Sequence, residues 1–128
     1  MDWTASRRDM VRAVLSVILA TAGAVHLLRP EIFLPAMPPY IPCHRAMILL
    51  TGVLELAAAA GLWVPYLRTL AAWCLVAYFV AILPAHVHVS RNAIPMFGIR
   101  SPALLWARTA FQAAFVAAAW SLTRQEKR

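Results

Sequence analysis

Five side chains able to carry charge or to donate hydrogen bonds stand inside otherwise apolar stretches of this sequence: His26, Glu55, His86, Arg108 and Gln112. Glu55 is the one charged residue of 46–67, and Arg108 the one charged residue of 103–122. A carboxyl that faces a guanidinium can fix the register of two helices. With imidazole and amide groups beside it, it can instead hold a small molecule and exchange a proton with it. An isolated charge at the centre of a bilayer costs at least about 2.5–3.5 kcal/mol, so such groups need partners.

The spacing sets out how these residues could meet. Glu55 lies roughly 15 Å into its run and Arg108 roughly 8 Å into its own, at 1.5 Å per helical residue. A long arginine side chain is expected to bridge that gap. Gln112, four residues after Arg108, shares its face. His86 and His88 lie about 200° apart around a helix, so one of the two faces a common site, and His86 is assigned that place. Pro84 withdraws a helical hydrogen bond and frees the Val80 carbonyl, which either tilts His86 inward or ends the helix. His26, near the end of its run, is more often a snorkelling or capping residue than a ligand. The Glu55–Arg108 pair reads equally as a purely structural tie.

The elements that must position these groups are four long apolar runs, 10–28, 46–67, 69–89 and 103–122. Each approaches the 20 or so residues needed to cross a hydrocarbon core of about 30 Å. Their uninterrupted Ala, Leu and Val content argues for helices, since barrel strands alternate polar and apolar residues. Of the 128 residues, 62% are hydrophobic and 13% charged, where a soluble domain has roughly 45–50% and 25%. An ordinary soluble domain is excluded, because one this small cannot hide so much apolar side chain. The expected fold is all-α: a polytopic membrane protein, one domain over 1–128, built as a bundle of four transmembrane helices in a cell membrane. The net charge of +7 does not indicate nucleic acid, because the basic residues are dispersed between apolar runs and form no stripe.

Arg7 and Arg8 ahead of the first run, with Ala20-Thr21-Ala22 inside it, resemble a signal peptide, but the run is long for one and is taken as a retained span. Lys and Arg near the span ends number seven on the side of both termini (Arg7, Arg8, Arg12, Arg68, Arg124, Lys127, Arg128) and four on the other (Arg29, Arg45, Arg91, Arg100). The excess places both termini in the cytoplasm. Five of the nine prolines fall in the outer loop 29–45, which is too rich in proline for a continuous helix. A tight inner turn near Pro65 makes the second and third helices antiparallel neighbours. The inner parts of the second and fourth runs are wholly apolar, so the polar residues suggest a one-sided outer pocket and not a through-pore.

Cys43 and Cys74 belong to a loop and to a helix interior, too far apart for a disulfide. Cys43-His44 is a weak metal motif, no spaced zinc set is present, and no CxxCH or glycine-rich phosphate loop occurs. No metal is expected. A heme between His26 and His86 is geometrically conceivable, and less expected than a quinone.

The order of several short motifs resembles the DoxX-like family of small four-helix membrane proteins. They are GAVHLLRPEIF at 23–33, PPYIP at 38–42, TGVLE at 51–55, LWVP at 62–65 with Arg68, PAHVH at 84–88, and WAR at 106–108 with Gln112. Two positions depart from the pattern: His86 stands where Asn is expected, and Thr109-Ala110 where Leu-Pro is usual. The resemblance implies the four-helix fold and a redox-associated context. The leading expectation is a protein that binds a quinone-like or other small lipophilic molecule in the outer pocket through His26, Glu55, Arg108 and Gln112. The alternative is a non-catalytic accessory subunit of a larger membrane redox complex or a homo-oligomer. A small-molecule transporter ranks third.

Overall fold

Apolar, helix-favouring sequence punctuated by proline produces five α-helices in the computed structural model, which describes residues 3–124. They are α1 (Trp3–Leu28), α2 (His44–Gly61), α3 (Arg68–Ala81), α4 (Leu83–Arg91) and α5 (Pro102–Leu122). Lys127 and Arg128, counted above for orientation, lie outside the described residues. Two 3-10 turns, Pro30–Ile32 and Leu34–Ala36, break the proline-rich connection between α1 and α2. Among the described residues no strand forms, apart from an isolated bridge between Met96 and Ile99.

α1, α2, the α3–α4 pair and α5 alternate in direction, so one end of the molecule carries the start of α1, the 62–67 turn and the end of α5. The opposite end carries the loops 29–43 and 92–101, and is called the loop end below. The most extensive contact is α1 on α2. It closes at two glycines: a Cβ on Gly23 would lie 2.9 Å from the Gly52 carbonyl oxygen, and a Cβ on Gly52 would lie 2.9 Å from the His26 Cβ. Small residues of this kind let two backbones approach closely. α3 and α5 complete the bundle over a core that includes Leu15, Leu19, Leu62, Ala72, Leu75 and Ala119.

The outward faces are also apolar: Val17, Leu70, Trp73, Val80 and Phe111 are exposed. A helix that is hydrophobic all round belongs in a large core or in lipid. Three segments are long and apolar enough to cross a membrane by length and composition: Trp3–Leu28, His44–Gly61 and the α3–α4 pair Arg68–Arg91. α5 has 21 residues but carries Arg108 and Gln112, and is not among the three.

Several boundaries differ from those read from hydropathy. α1 starts at Trp3, so its first two turns are the polar segment that carries Arg7, Arg8 and Asp9. α2 ends at Gly61, and residues up to Leu67 form turns. The third run is two helices that meet at Ile82. Pro84 causes this break, since it cannot donate to Val80, and it sits where proline is tolerated, in the first turn of α4.

Candidate functional site

Glu55 is 5% exposed and lies about 16 Å along α2 from its start at the loop end. Its Oε1 accepts a hydrogen bond from the Tyr78 hydroxyl of α3. Its Oε2 lies 3.2 Å from Nδ1 of His26 on α1. That same Nδ1 is 2.7 Å from the Ala22 carbonyl, an acceptor that requires the proton to be on Nδ1. One proton therefore faces two acceptors, and Oε2 has no hydrogen bond of good geometry among the described residues. Thr51, one turn from Glu55, lies beside the Tyr78 hydroxyl and gives its own proton to the Ile48 carbonyl at 2.7 Å.

The expected bridge from Arg108 to Glu55 is absent. The guanidinium lies 5.7 Å from the ring centre of Phe97, and among the described residues no carboxylate comes within ion-pair distance of it. Arg108 joins the site through aromatic rings. Phe97 meets Phe33 edge-on with centroids 5.6 Å apart. Phe33 in turn lies flat against the His26 imidazole, at 3.8 Å and 9° between planes. Phe33 belongs to the 29–43 connection and Phe97 to the 92–101 connection, so the two connections meet beside His26 and Arg108. Phe97 is set in a tight turn closed by two hydrogen bonds between Met96 and Ile99. There it adopts φ +51°, ahead of Gly98 at φ +77°. A bulky side chain in the left-handed region is strained, which makes the placement of this ring a feature to be explained.

Gln112 does not share the site of Glu55. It is buried and its Nε2 donates to the Phe79 carbonyl at 3.0 Å. The break at Ile82 takes away that carbonyl's helical donor, and the amide of α5 replaces it. His86 is half-buried close to Arg108, and its own carbonyl accepts from the Thr109 hydroxyl at 3.2 Å. Ser90 donates to the Leu105 carbonyl and meets Thr109 Oγ1 at 2.6 Å. These bonds clasp α4 to α5. Of the five residues singled out by sequence, the fold unites two, His26 and Glu55. It sets Arg108 two rings away and assigns Gln112 to the α3–α4 break.

Tyr78 was missed by sequence reasoning, although it left a signal: a lone phenol in an apolar run needs a partner for its hydroxyl once buried. Phe33 and Phe97 left none, because loop aromatics reach the site only through tertiary structure. A second polar group lies at the opposite end, where the sequence suggested a bare apolar half. Arg12 is 5% exposed, pairs with Asp9 and lies 5.7 Å from the ring centre of Trp63. Trp63 Nε1 donates to Ser16 Oγ at 2.9 Å, and Ser16 donates to the Ala59 carbonyl at 3.2 Å.

Cys43 and Cys74 are free thiols. Among the described residues no group of three or more His, Cys, Asp or Glu side chains is placed to hold a metal ion. No curated protein and no solved structure matches the chain. A family model does: residues 15–123 match the family described as Domain of unknown function (DUF8561). The chain belongs to that family, and the matched stretch takes in His26, Phe33, Glu55, Tyr78, Phe97 and Arg108.

Proposed function

We propose that this chain is an integral membrane protein of four spans, with α5 as the fourth and both termini in the cytoplasm, that binds a quinone-like or similarly small lipophilic molecule at the His26–Glu55–Tyr78 set. The observation that carries the reading is the buried Glu55 Oε2, which has no well-made hydrogen bond although an imidazole and a phenol flank its carboxyl. A buried polar atom left this way costs about 1–3 kcal/mol, and a ligand hydroxyl that donates to it recovers that cost. Phe33 supports the same reading, because the His26 face already takes a flat six-membered ring. A quinol, the reduced form, stacks its ring on the imidazole when it replaces Phe33, and its hydroxyl donates to Glu55 Oε2, whereas a quinone carbonyl would set acceptor against acceptor there. The three apolar helices support the membrane setting. The resemblance of the motif order to DoxX-like proteins is what suggests the redox-associated context.

The test is to purify the chain in mild detergent and quantify extracted lipophiles by mass spectrometry, for the wild type and for Glu55→Gln, Tyr78→Phe and His26→Ala. We expect a near-stoichiometric lipophile in the wild type and its loss in Glu55→Gln and His26→Ala. Equal retention in all four proteins would remove the site from the reading. A preparation free of lipophile that carries a fixed protein partner would replace it with the accessory-subunit reading.

A further inference from the structure

A groove of about 650 Å³ runs down the side of the α3–α4 pair, away from the Glu55 set. That volume lies within the range of roughly 300–1,000 Å³ usual for ligand sites. Its floor is apolar: Val80, Leu83, Pro84 and Val87. Its upper end, at the loop end of the molecule, is polar, with Arg91, His88 and Asn92 on α4 and its C-terminal edge, and Tyr40 from the 29–43 loop. The groove lies over the break at Ile82, with Pro84 in its floor.

The polarity runs lengthwise. From Val80 to Arg91 the helical rise amounts to about 16 Å, close to one leaflet of a hydrocarbon core about 30 Å thick. The charge at the upper end is uncompensated. Arg91 is exposed, and among the described residues no carboxylate comes within ion-pair distance of it. The acidic residue of the neighbouring loop, Glu31, is taken by Arg29 at 2.6 Å. His88 and Asn92 hold each other, the Asn92 amide donating to the His88 carbonyl at 2.9 Å and meeting its Nδ1 at 3.2 Å. The polar end is thus a preset, net positive rim above an apolar channel one leaflet deep.

We infer that this groove is a binding site for a phospholipid with an anionic headgroup, its phosphate on Arg91 and one acyl chain along Val80, Leu83, Pro84 and Val87. The inference rests on the membrane reading above and is independent of the Glu55 set. A zwitterionic lipid fits the floor equally well but gains less at the rim, where its own cation meets Arg91.

The test is native mass spectrometry of the full chain in mild detergent, titrated with phosphatidylglycerol or with phosphatidylcholine of the same acyl chains. Phosphatidylglycerol is expected to bind about three- to tenfold more tightly, tenfold corresponding to about 1.4 kcal/mol. Arg91→Gln, an exposed position, is expected to bring it to the phosphatidylcholine level. Arg100→Gln, exposed at the same end but outside the groove, is expected to leave the preference intact. Val87→Trp, which fills the floor, is expected to weaken both lipids. Equal binding of the two lipids by the wild type would overturn the inference. So would a preference that survives Arg91→Gln or one that falls equally with Arg100→Gln. A carbonate wash of membranes separates the two readings: release of the chain would overturn both, and retention without lipid preference would overturn the groove alone.

Discussion

The Tyr78 hydroxyl donates to Glu55 across the α2–α3 interface, and this bond takes the place that charge pairing with Arg108 was expected to fill. A phenol is the cheaper companion at such depth, since it brings no second charge to be desolvated. It also leaves the second carboxyl oxygen to His26 and to whatever enters beside it.

Tyr78→Phe strands the Glu55 Oε1 and is expected to lower stability by about 1–3 kcal/mol. Glu55→Gln, which keeps an acceptor for the phenol, is expected to cost less. Removal of both partners, as Tyr78→Phe with Glu55→Leu, is expected to regain most of the loss, because no buried polar atom is then left over. Thermal unfolding in detergent measures all three. A double variant no more stable than Tyr78→Phe alone would show that the bond is not the source of the loss.

Gln112→Leu is close in size but cannot donate to the Phe79 carbonyl, and it is expected to cost about 1–3 kcal/mol. The damage should centre on the break at Ile82. Hydrogen exchange is expected to speed up at the amides of 82, 83, 85 and 86 and to stay unchanged in the α1–α2 pair. A uniform rise across the chain would contradict a local latch.

Gly23→Ala and Gly52→Ala each drive a methyl group into a neighbour at 2.9 Å. Overpacking of this kind typically costs about 1–3 kcal/mol. The strain falls beside His26, so Gly52→Ala is expected to disturb the Glu55 set as well as stability, seen as a change in the His26 imidazole resonances. Gly61→Ala, with its nearest contact at 3.2 Å to a side-chain carbon, is expected to be milder. Equal losses at all three positions would deny any special closeness of the α1–α2 contact.

Phe97 and Arg108 are expected to be coupled by about 0.5–1 kcal/mol, the usual worth of an exposed cation–ring contact. A double-mutant cycle built from Phe97→Leu and Arg108→Met measures it. Gly98→Ala meets no atom within 4 Å, so its cost is that of a left-handed alanine, about 1–2 kcal/mol. A coupling near zero would mean that the turn sets Phe97 against Phe33 alone.

The helices were legible in the sequence because outward-facing and core-facing residues are both apolar, which leaves long runs that hydropathy detects. The same property hid the ends. Trp3–Asp9 continues α1 as a polar extension that hydropathy cannot follow, and 62–67 is apolar yet turns. Pro84 announced the break, but its donor, Gln112, sits on another helix and was assigned to the site. His26 and Glu55 were each legible as a polar residue inside an apolar run, but the sequence paired Glu55 with Arg108, and the His26–Glu55 contact appears only in the structure. Arg108 was misassigned because its reach was judged by length, whereas its direction is set by a loop ring whose position no spacing rule contains.

The α1–α2 contact has a consequence for how the chain is made. Both helices lie in the first 61 residues and meet through Gly23 and Gly52, so this hairpin can close while α3 is still being synthesised. His26 then stands beside Glu55 from the outset, and the carboxyl has a companion before Tyr78 exists to serve it. The order of the elements along the chain thus spares a buried carboxyl a period without partners during its own biogenesis.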